Sequence, residues 1–124
     1  MVLDASAFLA LIQGEPGAER VEAVLMRAAM SSVNLTEVVT KLVAKGTTVD
    51  EVHAIVDGLK PIVHPFEHDL AVEAGFLYGT TRAFGLSLGD RACLALARQL
   101  EATALTTDRT WAGLEVGVEV EVIR

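Results

Sequence analysis

Apolar residues recur along the chain at two spacings, and the switches between them predict its elements. A short run, Met1 to Leu3, stops at Asp4 and predicts a first strand. Ser6 predicts the N-cap of a helix reaching about Ile12, followed by the turn Gly14-Glu15-Pro16-Gly17. Ala18 to Ala29 has helical spacing, with Val21, Val24, Leu25 and Ala28 on one face. Met30 to Val33 predicts a second strand. Asn34 opens a helix that ends near Lys45-Gly46, a good C-terminal signal. Thr48 to Lys60 carries Val49, Val52, Ile55, Val56 and Leu59 at helical spacing, and Pro61 stops it. Ile62 to His64 predicts a third strand. Helices follow over Glu67–Thr81 and Ser87–Leu100, then strands over Thr103–Thr106 and Val118–Ile123. Strands alternating with helices in this way predict an α/β domain with a mostly parallel sheet.

Composition narrows the reading. The chain has 124 residues with no repeat, low-complexity tract or linker, so one domain over 1–124 is expected. Hydrophobic residues make up 52% and charged residues 22%, which excludes disorder as the main state. No apolar stretch has the length of a membrane span. The N-terminus lacks a basic segment and carries Asp4, so no secretory leader is expected. The single cysteine, Cys93, can form no internal disulfide and fits a reducing, cytoplasmic setting. The net charge of −7 argues against a nucleic-acid binder that relies on a basic surface. That objection weakens if several acids hold cations, because a bound metal inverts the local field.

Four acids stand out by position. Asp90, in Leu86-Ser87-Leu88-Gly89-Asp90, is the third helical residue of a capping box opened by Ser87. It also shares a helix face with Cys93, Leu94 and Ala97, so it heads a stripe expected to be buried; Arg91 and Arg98 fall on the solvent stripe. Glu37 closes a similar Asn-Leu-Thr-Glu box just after the second strand. Asp4 and Asp108 end apolar segments at the carboxyl ends of predicted strands, where parallel sheets place their sites. Asp4, Glu37, Asp90 and Asp108 thus belong to one rim. Four carboxylates there would repel one another and raise their pKa values unless a cation neutralises them. Oxygen-only ligands favour Mg²⁺ or Mn²⁺, and such a site can activate water and stabilise in-line displacement at phosphorus. Ser6 and Thr107 stand beside two of the acids. Their hydroxyls could bond the carboxylates or a water, although helix capping and turn formation account for them as well.

These segments carry a resemblance. Val2–Ile12 (VLDASAFLALI), Val33–Leu42 (VNLTEVVTKL), Gly85–Ala97 (GLSLGDRACLALA), Ala104–Leu114 (ALTTDRTWAGL) and Val120–Arg124 (VEVIR) resemble, in order and spacing, the PIN-domain ribonucleases and, within them, the VapC-type toxins of toxin–antitoxin pairs. The resemblance covers essentially the whole chain. It implies an α/β/α sandwich around a mostly parallel, roughly five-stranded sheet. It implies that Asp4, Glu37, Asp90 and Asp108 form an acidic quartet that binds Mg²⁺ or Mn²⁺. The implied activity is metal-dependent endonucleolytic cleavage of RNA by a homodimer held in check by a cognate antitoxin. Asp4, Asp90 and Asp108 are the expected first ligands. Glu37 is then a ligand through water or the group that orients the nucleophile. Arg91 and Arg109 adjoin quartet acids and could contact RNA phosphates. Lys41 and Lys45, one and two turns past Glu37 on its helix face, are further RNA-binding candidates, or part of a solvated face.

Other signals point elsewhere or nowhere. His64 and His68 lack a third convergent ligand and read as a strand exit and a helix start. Cys93 reads as a small core residue, and Trp111 as a cover over the sheet edge rather than a base-stacking platform. A receiver domain phosphorylated on Asp57 is a rival reading, but its paired acids after the first strand are missing and Asp57 falls on a helical period. A phosphotransferase using Asp4 as nucleophile would want an acid two residues on, where Ser6 stands. A PIN-like binding module without activity is the remaining alternative.

Overall fold

Five short strands form one sheet in the computed structural model, which describes residues 1–124. They are β1 (Val2–Leu3), β2 (Ala29–Ser31), β3 (Ile62–His64), β4 (Ala104–Thr106) and β5 (Val120–Val122), in the order β3-β2-β1-β4-β5. All four pairings are parallel, with Val2 opposite Ala29 and Ala104, and Leu3 opposite Leu105. The chain moves outward from β1 to β3, then returns to the other side of β1 for β4 and β5. The order therefore reverses between β1 and β4, which places the crevice of an open parallel sheet at their carboxyl ends.

Alternation along the strands feeds two cores. Val2, Ala29 and Ala104 pack with α5 (His68–Phe76) and α7 (Leu88–Leu100) around Leu70, Leu94, Leu96 and Trp111. The next residues, Leu3, Met30 and Leu105, pack on the opposite face with α1 (Ala5–Gln13), α2 (Ala18–Val24), α3 (Ser32–Ala44) and α4 (Val49–Leu59) around Phe8, Val21, Val24 and Val38. Period-2 alternation in the strands thus accounts for a sheet covered on both faces. Trp111 lies in a short 3-10 turn (Arg109–Gly113) and is fully buried, which makes it core and removes it as a stacking platform. Cys93 is likewise buried, and burial pushes its thiol well up.

Several boundaries differ from expectation, each for a local reason. Asp4, not Ser6, caps α1: its Oδ1 accepts from the Ala5 backbone N–H at 2.8 Å, and Ser6 lies inside the helix. Ser31, not Asn34, caps α3, its hydroxyl accepting from Val33 N–H at 3.2 Å. The strand before it is correspondingly early and short. The helix expected over Ala18–Ala29 stops at Val24 and tightens into a 3-10 turn, Leu25–Arg27, so that Ala29 can join the sheet. The helix expected over Glu67–Thr81 breaks into α5 and a single turn, α6 (Tyr78–Thr81). Capping at α4 is simple: Thr48 Oγ1 accepts from Glu51 N–H at 3.2 Å. Thr48→Ala is expected to cost about 1 kcal/mol in urea unfolding. Asp57 is exposed within α4 and follows no strand's carboxyl end, which leaves no basis for the receiver reading. No helix is long and apolar enough to cross a membrane.

Candidate active site

The carboxyl ends of β1 and β4 carry a connected network of side-chain hydrogen bonds. Asp4 follows β1 and is buried, 5% exposed. One of its oxygens caps α1. The other, Oδ2, accepts from Ser6 Oγ at 2.7 Å and from Thr106 Oγ1 at 2.9 Å. Those hydroxyls are themselves fixed: the Thr107 N–H donates to Ser6 Oγ at 3.0 Å, and the Asp108 N–H donates to Thr106 Oγ1 at 3.1 Å. The parallel register of β1 and β4 makes this possible, since it sets Leu3 beside Leu105 and so brings the residues after each strand together. Thr106, missed in the sequence reading, takes the role expected of the Thr107 hydroxyl. Its signal was present: it ends a buried strand whose two preceding residues are apolar.

Two further acids converge on Asp4. Asp90 sits in the first turn of α7, where Ser87 N–H donates to its Oδ2 at 2.9 Å and Ser87 Oγ accepts from Asp90 N–H at 3.2 Å, a complete capping box. The structural and functional readings of Asp90 are compatible, because the same half-buried carboxylate caps the helix and faces the rim. Glu37 reaches the same place from α3. Asn34, fully buried, donates through Nδ2 to Glu37 Oε1 at 2.8 Å and to the Gly89 carbonyl at 2.9 Å. The Asn34–Glu37 pair is therefore a side-chain fork linking α3 to α7 rather than the expected helix cap. A Cβ on Gly89 would overlap the Glu37 carboxylate, so glycine leaves the space that group occupies.

Electrostatics follow from this packing. Asp4 is raised from 3.8 to about 6, chiefly by burial. The charges of Asp90 and Glu37 push it further up, while the Ser6 and Thr106 hydrogen bonds pull it down. The same three acids act on Cys93. No lysine or arginine pairs with any of them: the Lys/Arg ion pairs of the molecule are Arg20–Glu121, Arg98–Glu73 and Arg124–Glu15.

Asp108 stands apart from this trio. It is exposed at the end of β4, and its Oδ1 accepts from Thr110 N–H at 2.9 Å and Thr110 Oγ1 at 2.8 Å. As the side chains stand, no three His, Cys, Asp or Glu groups are grouped closely enough to hold a metal ion. The reason is local: Asp90, Asp108 and Glu37 are each drawn to a partner in their own turn or helix. The donor chemistry nonetheless fits a hard divalent cation. A buried carboxylate with a raised pKa, two carboxylates beside it and no protein cation in contact form an oxygen-only set short of positive charge.

The basic candidates divide. Arg91 does not reach the rim: its NH1 donates to the Ala74 carbonyl at 3.0 Å and its guanidinium lies 5.4 Å from the centre of the Tyr78 ring. Its position on α7 turns it toward α5, not to solvent. Arg109 is exposed and its Nε donates to the Arg124 carbonyl at 3.3 Å. Lys41 and Lys45 are exposed on α3.

Comparison with known proteins agrees with this geometry. The PIN domain profile matches residues 1–116. The chain belongs to the PIN domain family. Solved structures share the PIN fold at low identity. The DNA-bound VapBC complex of Salmonella typhimurium is 17% identical, with 97% of this chain and 95% of that one covered and a TM-score of 0.74. VapC20 of Mycobacterium tuberculosis, a Sarcin-Ricin loop cleaving toxin, is 21% identical over 95% and 98% of the chains, TM-score 0.70. VapBC-5 of the same organism is 24% identical over 99% and 96%, TM-score 0.65. No curated protein matches the chain by sequence. Within this PIN domain, Asp4, Glu37 and Asp90 are gathered around the β1–β4 crevice, with Asp108 on its margin.

Proposed function

We propose that this PIN domain is a divalent-metal-dependent endoribonuclease, the toxin of a cytoplasmic toxin–antitoxin pair. The observation that carries the reading is Asp4: a carboxylate buried at the sheet's switch point, raised to about 6, facing two further acids and no cation. A fold with no use for that site would not be expected to retain so unfavourable an arrangement. Asp4, Asp90 and Glu37 would hold Mg²⁺ or Mn²⁺, joined by Asp108 once it turns from Thr110. Such an ion supplies neutralisation of phosphate charge and acidification of water. The chain's own contributions are distinct. Ser6 and Thr106 fix the Asp4 carboxylate, while Asn34 holds Glu37 and the Ser87 N–H holds Asp90 near it, and these two would turn from those partners to share an ion with Asp4.

Partners follow from the same reading. An antitoxin is supported by the similarity to VapBC complexes and by an apolar cleft of about 350 Å³ between α3 and α4, lined by Leu35, Val39, Val43, Val49, Val52 and Val56. A homodimer is supported by further uncovered apolar side chains, Phe76 and Tyr78 among them. The helix at 18–24 offers no such face, since Val21 and Val24 lie in the core. An Arg or Lys of the antitoxin entering the acidic crevice would silence it by competing with metal.

A catalytically silent PIN module is the second reading, favoured by one observation, the engagement of Asp108 with Thr110. Induced expression of wild type beside Asp90→Asn separates the two. Asparagine can still accept from the Ser87 N–H, so the helix cap survives. The wild type is expected to halt growth and leave discrete new RNA 5′ ends that the variant does not. If purified protein with Mg²⁺ or Mn²⁺ leaves total RNA intact and both proteins are harmless, the silent reading holds.

A further inference from the structure

A cleft of about 300 Å³ opens beside the acidic crevice, and its lining is basic and polar in a chain of net charge −7. Ser6 and Thr107 contribute from the crevice side, and Lys41, Lys45 and Arg124 contribute three of the chain's ten Lys/Arg. Glu15 is its one acid, and it pairs with Arg124 at 3.7 Å. Lys41 and Lys45 make no ion pair. Spacing places these lysines well. They follow Glu37 by four and eight residues on α3, so they lie on its face at about 6 and about 12 Å further along the helix axis. The cleft is also joined to the crevice by hydrogen bonds, since Ser6 Oγ donates to Asp4 Oδ2 and accepts from the Thr107 N–H.

We infer that this cleft binds the backbone phosphates of the RNA next to the cleaved bond, with Lys41 and Lys45 as the phosphate contacts. The inference rests on the RNA-hydrolysing reading above and adds the direction in which the strand leaves the site, along α3 between α1 and the turn after β4. It also resolves the charge objection. The phosphate at the crevice meets acids that need a cation, whereas its neighbours meet cations that need an anion. Among the other basic groups, Arg91, Arg98 and Arg20 are committed to Ala74, Glu73 and Glu121. An acidic protein segment is the competing occupant. The hydrogen-bonded continuity of the cleft with the crevice through Ser6 favours RNA, whose next phosphate along the strand would lie at the acids that hold the metal.

The test is fluorescence anisotropy of a labelled single-stranded RNA of mixed sequence, in EDTA so that nothing is cleaved, over a salt series. The proteins are wild type, Lys41→Ala/Lys45→Ala, Lys41→Arg/Lys45→Arg, and Arg27→Ala as a control just before the amino end of β2. Each phosphate contact contributes about 0.7 to the slope of log K against log salt for single strands. The alanine pair is expected to lower that slope by about 1.4 and to weaken binding uniformly across sequences. The arginine pair and Arg27→Ala keep the wild-type slope. If the wild type binds and the alanine pair has the same slope, the cleft is not the RNA path, and the nuclease reading stands without it. If the wild type does not bind RNA at low salt, the inference fails, and the nuclease reading is left to the cleavage assay with Mg²⁺ or Mn²⁺. If a polyglutamate peptide binds in a lysine-dependent way while the RNA slope is unmoved, the cleft is a dock for an acidic protein segment and the inference is overturned.

Discussion

Asp4→Asn is expected to make the metal-free protein more stable at pH 7.5 while removing RNA cleavage altogether. The carboxyl of Asp4 is raised from 3.8 to about 6 in the folded chain, first by burial and then by Asp90 and Glu37. An acid whose folded pKa is raised contributes stability below its unfolded value and loses it as pH rises through the folded value. For Asp4 the loss therefore runs from about pH 3.8 to about pH 6 and is complete above. A shift of that size corresponds to about 3 kcal/mol. Asparagine removes the charge and keeps the cap on α1. The Ser6 and Thr106 hydroxyls lose a charged acceptor, which offsets part of the gain. The net expected rise in melting temperature is several degrees at pH 7.5, shrinking to nothing below about pH 4. Adding Mg²⁺ reverses the ranking. Ligand at a hundred times its Kd stabilises the wild type by about 2.7 kcal/mol, and the variant gains little. Thermal melts over pH, with and without Mg²⁺, check each step. A variant less stable than wild type at pH 7.5 would mean that Asp4 serves the fold and carries no stored cost.

Much of this site was legible because its parts are local. Asp90 announces itself through a capping box within four residues, and Asp4 through the abrupt end of an apolar run. The alternation of elements was sufficient for the parallel sheet. Legibility failed where a residue's role depends on something distant. Thr106 matters because β4 pairs with β1, and the sequence between them spans about a hundred residues. Asn34 reads as a helix opener because Asn is a good N-cap, yet its fork is completed by Gly89, 55 residues away. Ser31 won the cap because the sheet register ends β2 there, opposite His64. Arg91 has the sequence of a solvent-facing residue and the structure of a brace, held by a carbonyl on α5. Asp108 is a different case: Thr110 is two residues on, and the Asx-type turn they form is a local signal that the strand-end reading passed over.

Gly89→Ala is the sharpest test of whether Glu37 works from the place it occupies. Gly89 lies in the first turn of α7 with ordinary helical backbone, so alanine brings no strain and improves helix propensity by up to about 1 kcal/mol. The added Cβ falls on the Glu37 carboxylate, the far end of a flexible side chain, which therefore moves while the helix stays. Its hydrogen bond from Asn34, 2.8 Å in the native chain, is lost or redirected. A displacement of about 1 Å in a positioned group can reduce turnover about 10²-fold, and a loss at least that large is expected here without any loss of melting temperature. Gly75→Ala supplies the matching control, since a Cβ there meets nothing within 4 Å and changes only helix propensity. Two outcomes are informative in opposite ways. Slow cleavage by a fully stable Gly89→Ala protein would place the Glu37 carboxylate among the groups whose position the reaction needs, and would explain why a glycine opens a helix otherwise rich in strong helix formers. Wild-type cleavage would remove Glu37 from the working cluster, and would leave the Asn34 fork as a structural tie between α3 and α7.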